Sequence, residues 1–241
     1  MTPLSCKLLA HGVVRATAAE ITALRREPAP GVIVPATLLK FADDQAVVGV
    51  SAVIRAVQSS GRPNSDFVDW GVVGAPRYFG RLAAAAVIKR HDARGAPGVS
   101  PLVAPQMSLH SVAGGVSLAL GCHGPVTGLG GGVDSLSDGL IGGLSLLDST
   151  TPGVWIVLTA YDPEPMSECD PAAICHAVAL ALTPDAGGVR LDRGNGDERL
   201  MSVASLGRFL ENDRAPEWEC ALVGGWRFSL VRAAAEVAKA A

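Results

Sequence analysis

The chain has 241 residues, of which 49% are hydrophobic and only 18% charged, with a formal net charge of −3 and a mean hydropathy of +0.32. The basic residues are scattered, which excludes both a nucleic-acid stripe and a polybasic membrane-binding segment. The longest apolar stretches, residues 112–120 and 140–147, are too short and too rich in glycine to cross a bilayer, and the first twelve residues lack an apolar signal core, so the expectation is a cytoplasmic protein without membrane insertion.

A chain this apolar either builds a large core or turns apolar surface toward a partner. Aromatic residues are just 5%, while Ala, Gly and Val carry much of the apolar content. Small side chains let backbones approach closely, as in layered α/β folds. The five cysteines, Cys6, Cys122, Cys169, Cys175 and Cys220, have no zinc-site spacing and read as reduced, buried thiols.

In chain order, residues 6–15 read as a strand and 18–26 as a short helix before a Pro-rich loop. Residues 38–59 are apolar at helical spacing, with Leu39, Val47, Val50, Val53, Ile54 and Val57 mostly on one face. A turn cluster follows, then a buried strand over 68–74 and an Ala-rich helix over 81–91. Residues 112–120 fit a helix or a strand, and 124–133 a short strand or a glycine-rich loop. A helix over 134–147 has Asp134 or Ser135 as its N-cap. Residues 154–161 are a buried strand, β-branched and bounded by turn signals. Residues 174–182 form an apolar run, 192–198 a polar turn, 202–210 a short helix and 218–231 a strand-like segment before an Ala-rich tail. No internal repeat or long linker divides the chain, so the expectation is a single α/β domain over 1–241.

The most informative stretch runs from residue 71 to 147. A strand, then glycines, then a helix starting near Asp134 is the layout of a nucleophile elbow, which exposes one side chain where the helix dipole stabilises an anion. An enzyme of this layout needs Cys or Ser at the elbow. The elbow here reads Gly131-Gly132-Val133-Asp134-Ser135.

Upstream, Ser100-Pro101-Leu102-Val103-Ala104-Pro105, Ala113-Gly114 and Gly121-Cys122-His123-Gly124-Pro125 lead without a gap into that elbow. This series resembles the β-ketoacyl synthase family, and the resemblance covers residues 35–190. It implies a thiolase-like layered fold (α/β/α), limited to the N-terminal half of a ketosynthase. It places the nucleophile position at Val133, which cannot form a thioester. No second-half histidine motif follows, and the only later histidine is His176. Ser108-Leu109-His110-Ser111, then Ala113-Gly114 and Ser117, further resembles the short synthase-like proteins of aryl polyene and related polyketide systems. Ser111 replaces their usual Asn, and Val133 stands where a polar residue is common.

The resemblance implies a non-catalytic, chain-length-factor-like subunit. It would pair as a heterodimer with a full-length β-ketoacyl synthase in polyketide, aryl polyene or fatty-acid-type elongation, and meet acyl carrier protein through that complex. It calls for no cofactor and no metal. It assigns Leu102, Val103, Gln106, Ser108, Leu109 and His110 to the interface and the partner's acyl tunnel, where packed side chains limit chain length. Gly131, Gly132, Asp134 and Ser135 form the empty elbow. His110 reads as a hydrogen-bonded structural residue, His123 as exposed, and Cys122 as a packed thiol. Asp134 and Asp138 read as ordinary complements to the helix dipole rather than a metal pair. Trp218 and Trp226 are read as covering the edge that the absent half leaves open. Two alternatives stay open: a stand-alone condensing enzyme using Ser135 or Cys122, and a self-associating acyl-binding scaffold.

Overall fold

A computed structural model describes residues 4–101, 104, 107–147, 150–166, 168, 170–194, 202–212 and 214–232. Eight strands form one sheet in the order β3-β2-β4-β5-β1-β6-β8-β7. They are β1 (Leu4–Ala16), β2 (Gly71–Pro76), β3 (Val126–Gly128), β4 (Val154–Asp162), β5 (Ile174–Thr183), β6 (Val189–Arg193), β7 (Glu217–Leu222) and β8 (Trp226–Val231). β2 runs parallel to β3 and β4, and every other pairing is antiparallel. Among the described residues the α-helices are α1 (Ala18–Leu24), α2 (Ala36–Leu39), α3 (Asp44–Ser60), α4 (Arg81–Arg94), α5 (His110–Leu120), α6 (Ser135–Ser145) and α7 (Val203–Asn212). The α/β expectation holds, with helices on both faces of the sheet.

The two-residue period of the strands sorts the core into two clusters. Trp155 and Val157 of β4, with Cys175, Ala177, Ala179 and Ala181 of β5, face α3 and α5. Val154, Ile156 and Leu158, with Val178, Leu180 and Leu182, face α6 and α7. β5 is therefore small on one face and large on the other. The small face lies under α3, which packs on β1, β4 and β5. Gly12 of β1 pairs with Ala179 on that face. A Cβ at Gly12 would overlap the Ala52 carbonyl oxygen of α3, so helix and strand are in backbone contact.

The residues predicted to line one helical face are buried, but α3 is buried on nearly its whole circumference from Gln45 to Val57. The predicted single helix over 38–59 is two. α2 ends at Leu39, and Asp43 opens α3 by accepting a hydrogen bond from the Gln45 amide at 2.9 Å. Residues 112–120, left open between helix and strand, belong to α5. The apolar run over 174–182 is β5. The segment over 218–231 is a hairpin, β7–β8, turned by Gly224 and Gly225, both with φ of 71°.

That hairpin corrects the reading of the tryptophans. Trp218, Cys220, Leu222, Phe228 and Leu230 join Leu136, Leu140 and Leu144 of α6 and Leu206 and Phe209 of α7 in one core. The Val223 amide also donates to Ser137 Oγ of α6 at 2.9 Å. The β6-β8-β7 end of the sheet thus curls over a helical layer and covers a face, not an edge. Trp226 sits at its rim under the Arg193 guanidinium, 4.2 Å from the ring centroid.

If the hairpin is integral to the core, Phe228→Ala will lower stability by about 3–5 kcal/mol, much as Leu140→Ala lowers it by about 2–5 kcal/mol. Urea denaturation followed by fluorescence and circular dichroism should keep a single transition in both variants. A second transition in Phe228→Ala alone would show that the hairpin folds apart from the rest.

Candidate functional site

β3, β2 and β4 are parallel, so their C-terminal ends share one rim of the sheet. The elbow follows β3 on this rim. Gly130 and Gly131 have φ of 76° and 93°, in the left-handed region that glycine tolerates. A Cβ at Gly130 would stand 2.7 Å from Ser135 Cα. The turn is therefore tight against the start of α6, as the elbow layout requires. Asp134 occupies the N-cap position but makes no side-chain cap; its carbonyl accepts the Asp138 amide at 2.9 Å.

The side chain presented by this turn is Val133, 53% exposed. Nothing lies within 4 Å of a Cβ built on Gly132. Ser135 points the other way: it is buried, and its Oγ has no hydrogen-bond partner among the described residues. The elbow thus offers an aliphatic group to solvent and hides its one hydroxyl. Burial and the neighbouring Asp134 carboxylate push the Asp138 carboxyl above its ordinary range. No group of His, Cys, Asp and Glu able to hold a metal occurs among the described residues.

The structure brings the elbow together with one of the predicted interface residues. A Cβ at Gly131 would stand 2.8 Å from Leu109 Cδ2, and one at Gly128 would overlap the Leu109 backbone. Leu109 is therefore seated on β3 and the elbow turn. Ser108 and His110 are exposed, and Ser108 Oγ accepts the His110 amide at 3.3 Å. His110 opens α5 at the surface. Leu102, Val103 and Gln106 lie outside the described residues.

Two features of this rim were not legible in the sequence. β3 is an edge strand of three residues, paired only with β2 among the described residues. α4, which follows β2, buries no residue at all, although it carries Leu82, five alanines, Val87 and Ile88, the last 60% exposed. Leu118 of α5 and Phe41 are 75% and 58% exposed and line an apolar groove of ≈510 Å³ with His110 and Ser111. An unpaired edge and a large exposed apolar area are features that proteins normally cover.

The other nucleophile candidate lies in the core. Cys122 is buried against the α5 core, and burial pushes its thiol up to about 11. Cys6, Cys175 and Cys220 are likewise buried and free. Cys169 lies outside the described residues. His123 is exposed, as expected. His176 is half-buried on β5, beside Arg15 and Ala160 in the register, and burial lowers its pKa.

No protein-family model matches the sequence, and no curated protein matches it. Solved structures do match in fold, and the class they define is the thiolase-like ketosynthase fold. One is a ketosynthase (ApeO) in complex with its chain length factor (ApeC) from Xenorhabdus doucetiae, with a TM-score of 0.60 and 15% identity over 95% of this chain and 100% of that chain. Another is a type II polyketide synthase acyl-carrier protein in complex with its ketosynthase bound to the hexaketide (AntDE:AntF), with a TM-score of 0.57 and 12% identity over 76% of this chain and 63% of that one. At these identities the likeness is one of fold.

Because the thiolate and not the thiol attacks, Cys122 will be alkylated slowly at pH 8. Its rate should rise about tenfold per pH unit up to pH 10, as the thiolate fraction grows. Iodoacetamide labelling followed by peptide mass spectrometry measures this. Rapid labelling at pH 7 would mark Cys122 as an activated nucleophile.

Proposed function

We propose that this chain is the non-catalytic partner of an active β-ketoacyl synthase, of the chain-length-factor type. The observation that carries the reading is the elbow: its backbone turn is kept while the presented side chain is Val133. A synthase of this fold needs a nucleophile there, and the burial of both Ser135 and Cys122 supports the reading that neither replaces it. The two solved complexes supply context, one holding a ketosynthase with its chain length factor and the other a ketosynthase with its acyl-carrier protein.

In this reading the partner covers the rim where β3, α4, α5 and Phe41 are left open. Edge pairing at β3 would satisfy its free backbone groups. The exposed apolar side chains would form the buried centre of an interface of roughly 1,200–2,000 Å² or more. Leu109, seated between β3 and the elbow, is the described residue best placed to meet a growing acyl chain in the partner's tunnel. A larger side chain there would shorten the product, because extra volume forced on a packed site costs about 1–3 kcal/mol. The partner would supply the nucleophile and the histidines, and carrier protein would deliver the acyl group to the pair.

Co-expression with a full-length ketosynthase from the same source tests the proposal. The two chains should co-elute on size exclusion, and Leu118→Asp should weaken pairing about tenfold or more. Leu109→Trp should leave pairing intact and shorten the product. Separate elution, with product length unchanged, would sink the idea. A stable homodimer of this chain in light scattering, undisturbed by the synthase, would favour the self-associating scaffold instead.

A further inference from the structure

α4 leaves the body of the protein through one corner, and that corner is held by two hydrogen bonds to the Arg77 backbone and by a buried carboxyl group. β2 ends at Pro76; Arg77, Tyr78 and Phe79 then turn the chain into Gly80 and α4. Tyr78 has a φ of 49°, the only described non-glycine residue in the left-handed region, so the turn is strained. With no buried residue of its own, α4 gains little from packing to hold its direction.

Three groups fix the turn. The Arg77 amide donates to the Thr159 carbonyl at 2.8 Å, and the Arg77 carbonyl accepts from Gln45 Nε2 at 3.0 Å. The third group is Glu164, from the loop after β4. Its side chain is only 5% exposed. Oε1 accepts the Tyr161 amide at 2.5 Å, and Oε2 lies 3.3 Å from Arg77 Nε without hydrogen-bond geometry. The crevice among Glu164, Tyr78, Arg81 and Met166 holds ≈10 Å³ of free space, at the limit of what one water needs.

We propose that Glu164 is a positioning residue for α4, a buried carboxylate that ties the β4 loop to the β2–α4 corner and whose charge sets how firmly the corner is held. The surrounding charges are unbalanced. Asp43 lines the same crevice from α3, and Asp162 adds negative charge from β4. Asp44 is already paired with Arg25 at 2.5 Å and accepts the Tyr161 hydroxyl at 3.2 Å. Cys175 faces the group from β5, a thiol that burial keeps protonated. On the cationic side Arg77 is the charge that acts on Glu164, and the Arg77 and Arg81 guanidinium groups both lie over the Tyr78 ring, 5.4 and 5.0 Å from its centroid.

Burial pushes the Glu164 carboxyl up to about 7 against the pull of the Tyr161 amide and Arg77, and that of Asp43 up to about 6 against the Gln45 amide and Arg25. A raised carboxyl binds its proton more tightly in the closed corner than in the open one. The stability it contributes is therefore complete below pH 4.5 and lost as pH rises through about 7. The corner is firm in mild acid and looser in mild base. The clamp stands on the geometry of the corner; its effect on pairing rests on the reading of α4 as partner-facing.

Hydrogen exchange of the full chain, corrected for intrinsic rates, tests this between pH 5.5 and 8.5. Protection over residues 77–88 should fall about tenfold or more, mostly between pH 5.5 and about 7, and level off above that. Glu164→Gln keeps the shape and the acceptor but not the charge, so its protection should be flat with pH. Flat protection in the unsubstituted protein needs no variant to overturn the proposal. So would a pH dependence that survives Glu164→Gln and disappears in Asp43→Asn. Affinity for a ketosynthase should weaken over the same pH range. If exchange behaves as expected while affinity is constant, the clamp stands and the partner-facing role of α4 falls.

Discussion

The fold depends on how closely α3 approaches the sheet. Gly12 and Ala179 lie side by side in the register of β1 and β5, and Ala177 and Ala181 extend the same low surface. The helix above answers with Ala52 and Ala56. With no side chain at Gly12, α3 rests on the backbone of β1, and the dispersion contacts of two close surfaces replace those of large side chains. The volume saved on this face is spent on the other, where Val178, Leu180 and Leu182 meet α6 and α7. The small-residue composition is the trace of this asymmetry.

Much of the fold could be read because its periodicities are clean. The apolar spacing over residues 47–57 located α3, and the β-branched run over 154–161 located β4. What failed did so for physical reasons. α3 is buried on nearly all sides, so a single-face reading understated it. Residues 112–120 lie in a helix with α3 and β2 against it, and a helix apolar all round carries little periodic signal. The Gly224-Gly225 pair marks a hairpin that a strand-like reading of 218–231 passed over, while the packing of that hairpin on α6 joins segments far apart in the chain.

The elbow was legible because glycine and helix-start signals are local: the left-handed turn at Gly130 and Gly131 and the exposed Val133 follow from adjacent residues. Leu109 was singled out through a resemblance, and the structure seats it on the elbow. The openness of β3 and α4 was not legible, because a helix rich in alanine looks the same whether covered or bare. The Glu164–Arg77 contact was hidden for another reason: it joins segments that are neighbours only once β2 and β4 are paired.

β1 also governs the order in which the molecule can assemble. One stretch of it pairs with β5, from Lys7 with Thr183 to Ala16 with Cys175, and its first residues pair with β6, as Cys6 does with Val189. Both partners lie far along the chain, so the loops that join them close late and at high entropic cost. During synthesis at about 5–20 residues per second, β1 waits roughly 10–35 s for β5 to be made. Throughout that wait both of its edges are unpaired, and Val13, which packs on the α7 side, is uncovered. The strand that holds the centre of the finished sheet is therefore the part of the nascent chain most in need of shelter, and a folding helper would find its task there.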